Sequence, residues 1–209
     1  MSKQEEQLSA LNDIRKMMDR SSRFISLSGL SGIFAGVTAL AGAVLANREI
    51  DNYLNGRYAT DLYADWDLEF RLLRIGLSVL FIALIGGILF TFRKSRKNKL
   101  PFWDKTAKKL LINLAIPLVA GGLFILSLLF VHPGTYGLIA PSCLIFYGLS
   151  LVNASKYTYT DIRFLGFCEI LLGLVSMFNI GYGLYFWAFG FGILHIVYGT
   201  VMYFKYERK

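Results

Sequence analysis

Long apolar stretches separated by short polar links run through the chain. A helix rising 1.5 Å per residue needs about 20 residues to cross roughly 30 Å of hydrocarbon. Six stretches approach or meet that length: 24–46, 72–92, 110–131, 136–152, 162–178 and 182–203, the fourth and fifth being the shortest. Their apolar residues are continuous rather than alternating, which predicts helices and not the strands of a barrel. A helix also satisfies its own backbone hydrogen bonds in lipid. The expected fold is all-α: one bundle of six transmembrane helices over 24–209, with a separate segment over 1–23. In that segment Leu8, Leu11, Ile14 and Met18 recur at helical spacing. Glu5 and Glu6 come early and Arg15, Lys16 and Arg20 late, as a helix dipole favours. An amphipathic helix lying at the cytoplasmic interface is expected there.

Composition agrees with the pattern. Hydrophobic residues make up 55% of the 209 positions and charged residues 17%, with a mean hydropathy of +0.50. A soluble domain with a wetted surface does not sustain that balance. The net charge of +8 would suit a nucleic-acid binder only if the cations shared a soluble face; here they sit between oily segments. Nucleic acid is therefore excluded as a partner. The cations sort by side instead. Lys3, Arg15, Lys16, Arg20 and Arg23 precede the first stretch, and Arg93, Lys94, Arg96, Lys97, Lys99, Lys105, Lys108 and Lys109 link the second to the third. Lys156 and Arg163 lie in the fourth link, and Lys205, Arg208 and Lys209 in the tail. With six crossings all of these fall on one side, which the positive-inside rule makes cytoplasmic, leaving both termini inside a bacterial plasma membrane. The opposite side receives a net acidic link and two nearly uncharged turns. Trp103, Tyr136, Tyr157, Tyr182, Tyr203 and Tyr206 fall near the expected interfaces, where amphipathic rings settle.

Two ionisable residues lie well inside the apolar stretches. His195, in FGILHIVYG, is about 12 Å from the cytoplasmic boundary of the sixth stretch. Glu169, in GFCEILLGL, is roughly 10 Å from the same boundary of the fifth. The turn FNIG joins these stretches, so they are expected to be antiparallel neighbours with both groups in one layer. Each group alone is neutral in lipid, whereas proximity favours the charged forms of both. Intramembrane ionisable groups are costly and frequently mark a proton or solute path. The leading expectation is a small non-enzymatic membrane protein that transports or senses a proton or small solute through Glu169 and His195. The alternative is a structural or interaction subunit in which the pair only ties two helices. The lipid bilayer is the expected partner, together with a second copy or another membrane protein.

Other constellations add less. Ser31 lies in LSGLSGIFAG, and its GLSG resembles the serine motif of rhomboid intramembrane proteases. That family places the motif in the fourth helix, whereas here it lies in the first. Ser28, Gly32 and Gly36 repeat every four residues, a small-residue stripe suited to close helix packing. An intramembrane serine hydrolase is thus a remote alternative, with Ser31 a secondary candidate. Arg74, in the second stretch, is another; it can reach back to the outer interface or to the acidic link. That link carries Asp61, Asp65, Asp67 and Glu69 without a glycine-bearing calcium loop. His132, the only other histidine, is placed in an outer turn, away from any haem partner of His195. Cys143 and Cys168 fall at different depths and form no CxxC pair. No cofactor or metal is expected. A faint echo places Tyr147-Gly148 in the fourth stretch and Tyr198-Gly199 in the sixth, as if the third and fourth helices repeated in the fifth and sixth. The stretch LHIVYG before a KYE tail is similar to uncharacterised six-helix bacterial inner-membrane proteins, a resemblance that implies the fold and no function.

Overall fold

A computed structural model describes residues 7, 24, 27–56, 64–99, 102–132 and 134–208, with side chains from residue 68 onward in the second helix. The amphipathic helix expected over 1–23 and the side chains of Asp61, Asp65 and Asp67 fall outside these residues, residue 7 apart. The described residues are helical and contain no strand. The helices are α1 (Gly29–Leu54), α2 (Ala64–Lys97), α3 (Lys105–Phe130), α4 (Ile139–Ala154), α5 (Asp161–Met177) and α6 (Gly183–Tyr206). Short 3₁₀ turns at Tyr136–Leu138 and Ser155–Tyr157 extend α4 at both ends. By length and composition α1, α2, α3, the extended α4 and α6 can each cross a membrane. At 17 residues α5 is shorter, near the lower limit for a crossing.

The helices outrun the apolar stretches, mostly at their polar ends. α1 continues through REIDNYL, and α2 continues through the cations to Lys97. Hydropathy locates the oily part of a helix, while the backbone hydrogen bonds carry on into the polar layer. α3 passes straight through Pro117, as membrane helices often do. Asp104 begins it, its carboxylate accepting from Ala107 N at 2.6 Å.

α1 packs between α2 and α6; α4 packs between α3 and α5 and also meets the first turns of α6. Small residues set these approaches. A Cβ added at Gly36 would lie 2.6 Å from Gly192 O, and one at Gly199 would lie 2.7 Å from Gly29 O, so α1 and α6 meet backbone to backbone. Gly148 and Gly166 do the same for α4 and α5, each Cβ position falling 2.6–2.7 Å from the other's carbonyl oxygen. The small-residue stripe of α1 is therefore a packing surface, and both glycines of the Tyr-Gly echo are helix-crossing points. Facing outward, α2 and α3 present rows of large apolar side chains, including Phe81 (70% exposed), Leu84 and Ile88 on α2 and Ile116, Val119 and Leu123 on α3. Such contiguous apolar surface has no aqueous solution on this scale. The fold fits a multi-pass membrane protein.

One end of the bundle is tied by polar groups from every direction. Phe24 N donates to Tyr157 O (2.7 Å), and the Thr158 hydroxyl donates to Phe24 O (2.7 Å). Lys94, almost fully buried, donates to Leu27 O (2.6 Å) and lies 3.4 Å from Glu207 Oε1. Glu207 in turn accepts from Ser28 Oγ (3.2 Å) and from the Gly29 amide at the start of α1. A carboxylate from the chain's last residues thus caps its first described helix, where the dipole favours negative charge. Tyr206 stacks on Tyr159 with 4.1 Å between centroids and donates to Asp161 (2.6 Å). It is a member of this cluster rather than an outward-facing interfacial ring. The starts of α1 and α5 and the ends of α2, α4 and α6 share this end of the bundle.

Candidate functional site

The face of α5 that packs on α4 carries Gly166 and Gly173, and Glu169 sits between them on the same face. The glycines bring α4 so near that the carboxyl is covered completely (0% exposed). α6 supplies the other wall. From Ala188 to Leu194 its backbone widens into a π-helical turn, immediately before His195; such turns recur at functional sites. Gly190 lies inside that turn, and a Cβ there would fall 2.5 Å from Glu169 Oε2 and 2.6 Å from Leu144 Cδ2. The absence of a side chain at 190 is what makes room for the acid.

His195 is buried as well (7% exposed). Its Nδ1 lies 3.0 Å from Gly190 O and 3.4 Å from Glu169 Oε1; its Nε2 lies 2.7 Å from Tyr147 Oη. The tautomer follows from these partners. A carbonyl oxygen only accepts, so Nδ1 carries the hydrogen and donates to Gly190 O. In the neutral ring Nε2 then accepts, and Tyr147 donates. Phe191 backs the cluster, its ring 5.0 Å from that of Tyr147 and 5.9 Å from that of His195. A file of three polar side chains, Tyr147, His195 and Glu169, drawn from α4, α6 and α5, runs through the middle of the bundle.

The file is incomplete at its acidic end. Among the described residues neither carboxyl oxygen of Glu169 has a hydrogen-bond partner, because the imidazole N–H is directed to Gly190 O instead. A buried carboxyl in that state is unsatisfied in either protonation form: ionised it lacks donors, protonated it lacks an acceptor. Two turns further along the same face, Ser176 Oγ is also fully buried and has no hydrogen-bond partner among the described residues. Below the file, Leu151, Ile162, Leu165 and Met202 form a hydrophobic cluster.

The structure brings Glu169 and His195 together and leaves the other two candidates elsewhere. Ser31 sits in the first turn of α1, half-buried, its hydroxyl donating to Ser28 O. Because α1 begins at Gly29, Ser31 lies at the polar end of the bundle, and no hydrogen bond joins it to His195 or Glu169 among the described residues. Arg74 is exposed on α2 beside Arg71, which pairs with Glu49 at 3.5 Å. Cys143 and Cys168 are free thiols. No group of three or more metal-ligating side chains occurs among the described residues. Tyr147, Gly190 and Ser176 were not foreseen as parts of the site. Tyr147 carried a usable signal, since a tyrosine in mid-span must place its hydroxyl against a partner. No known protein family, curated protein or solved structure matches the chain.

Proposed function

We propose that this chain is an integral membrane protein of a bacterial plasma membrane, with both termini cytoplasmic, and that Tyr147, His195 and Glu169 move or sense protons within it. The observation that carries the reading is the orphaned carboxyl. A group retained only to tie helices would be hydrogen-bonded to them, since an unsatisfied buried carboxyl costs more stability than a weak tie returns. Glu169 is held 3.4 Å from an imidazole nitrogen and has no hydrogen bond among the described residues. It is poised to take that contact when the ring charges. Transfer within the file needs only a small move: the charged imidazole gives its Nδ1 proton to the Glu169 carboxylate, leaving a neutral acid and a neutral ring with its hydrogen on Nε2 facing Tyr147 Oη, and the reverse transfer restores the charged pair. The π-helical turn supplies the slack for His195 to exchange Gly190 O for the carboxylate. The orientation rests on the cations gathered at the end holding Lys94, Lys97 and Lys205.

The alternative, a structural tie, is favoured by the complete enclosure of Glu169, which the glycine contacts pack closely against α4 and α6. Proteoliposomes holding an internal pH-sensitive dye separate the two. The full chain should collapse an imposed pH gradient, and Glu169→Gln should abolish this while the protein stays folded. A wild-type protein that leaves the gradient intact, with Glu169→Gln altering thermal stability alone, establishes the tie.

A further inference from the structure

At the end of the bundle away from the Lys94 cluster, α1 and α2 line an open groove of about 450 Å³. It runs along both helices from Glu49 and Arg71 at its mouth to Thr38 and Ile82 at its deep end. The 11 helical steps from Thr38 to Glu49 give it a length of about 16 Å. Its polarity is graded along that length. The mouth carries Arg71, Arg74 and Glu49, and below it the walls are mainly apolar, with Leu45 and Ile82 exposed and only the hydroxyls of Ser78 and Thr38 among them. The floor is low because Gly42 lies directly under Val79. Among the described residues that line it, Arg71 faces Glu49 (3.5 Å) and Arg74 is the remaining cation. Arg74 has no hydrogen bond or ion pair among the described residues, although it falls within the apolar stretch of α2.

From this geometry we infer that the groove binds one phospholipid with an anionic headgroup. The phosphate would sit on the planar guanidinium of Arg74, which matches it in a two-pronged contact, and one acyl chain would fill the apolar channel. Two arguments favour this occupant over a second copy of the chain. An unpaired guanidinium in a protein interface demands a buried counter-charge, and the described apolar faces of α2 and α3 offer none. A graded groove about 16 Å long along the helix axes matches half a bilayer, with the charge at the headgroup level. The inference rests on the membrane reading of the fold and is independent of proton movement through Glu169.

Native mass spectrometry of the full chain in detergent tests it, using phosphatidylglycerol and phosphatidylethanolamine of identical acyl chains. The wild type should retain phosphatidylglycerol about fivefold more strongly, the factor expected for one cation near a headgroup. Arg74→Gln should bring the two lipids to parity, and Arg74→Lys should keep part of the preference. Because Arg74 has no hydrogen bond or ion pair among the described residues, Arg74→Gln should unfold at the wild-type temperature, separating lost binding from lost fold. Glycerol phosphate at equal concentration should fail to displace the lipid. Equal retention of both lipids by the wild type, an unchanged preference in Arg74→Gln, displacement by glycerol phosphate, or a stable dimer that excludes both lipids would each overturn the inference.

Discussion

Replacing Gly190 by alanine perturbs the site through a single methyl group, and its effect follows from the geometry. The new Cβ would stand 2.5 Å from Glu169 Oε2, 2.6 Å from Leu144 Cδ2 and 3.1 Å from Leu172 Cδ2. Ordinary contact begins at 3.4 Å, so the carboxyl must retreat by about 0.9 Å. All three neighbours are tips of flexible side chains, so the adjustment falls on rotamers and not on the helices. Overpacking of this kind costs about 1–3 kcal/mol, and the gain in helix propensity from glycine to alanine returns about 1 kcal/mol. The net loss is therefore about 1 kcal/mol, a fall in Tm of about 2–4 °C for a chain of this size. The retreat draws the acid away from His195 Nδ1, and the pH response should be lost while the fold persists. The assay pairs thermal unfolding in detergent with gradient collapse in proteoliposomes. Gly87→Ala and Gly122→Ala serve as controls, because a Cβ at either meets nothing within 4 Å; both should be neutral or slightly stabilising. If Gly190→Ala matches these controls in both measurements, the contact between Gly190 and Glu169 has no part in the function.

Gly166→Ala should be more damaging than Gly190→Ala, because its Cβ meets Gly148 O at 2.7 Å and Val152 N at 3.0 Å, backbone atoms that retreat only if α4 and α5 separate. A loss of about 3 kcal/mol is expected, read as a Tm lower by roughly 6–12 °C; an unchanged Tm would refute the packing argument. Glu207→Gln removes the charge facing the buried Lys94 and weakens the cap on α1, and should cost about 2 kcal/mol, checked by thermal unfolding and by faster amide exchange at the start of α1. Asp161, at the mouth of α5, gives an acid limb. Its own burial opposes ionisation, but hydrogen bonds from Tyr206 and Lys205 and the charge of Lys205 outweigh this and hold the carboxyl below the usual carboxylate range. A carboxyl lowered in the folded state stabilises fully above its unfolded value, about pH 4, and loses that contribution as pH falls through the folded value. Thermal stability should decline below about pH 4 in the wild type, and Asp161→Asn should remove that part of the decline.

How far the sequence spoke for this structure differs from feature to feature. The six helices were legible because hydropathy reports the solvent around each segment. Their ends were not, because residues such as Arg48, Asp51 and Lys97 continue a helix after its surroundings have turned polar. The meeting of Glu169 and His195 was legible as arithmetic: two antiparallel segments joined by a tight turn, with similar residue counts from one boundary. Ser31 stays apart from that pair, because the helix that carries it starts only at Gly29 and leaves the serine in its first turn. The π-helical turn left no trace in the pattern; one extra residue in a turn changes no residue's character. The Glu207 clasp joins positions 178 residues apart, and no local spacing encodes a contact of that range. Gly190 looked like any of the many membrane glycines until the carboxyl opposite was seen to occupy its missing side chain.

Proton exchange at Glu169 tests the central claim most directly. In reconstituted full-length protein, infrared difference spectroscopy on transfer from H₂O to D₂O, with Glu169→Gln as the reference, isolates the stretch of this one carboxyl. A group that belongs to a working proton path should exchange, shifting the protonated carboxyl band assigned to Glu169, and the band should vanish as pH is raised across the working range of the file. A Glu169 band that stays unshifted in D₂O and constant with pH in folded protein would contradict the account and leave the acid as an inert part of the bundle.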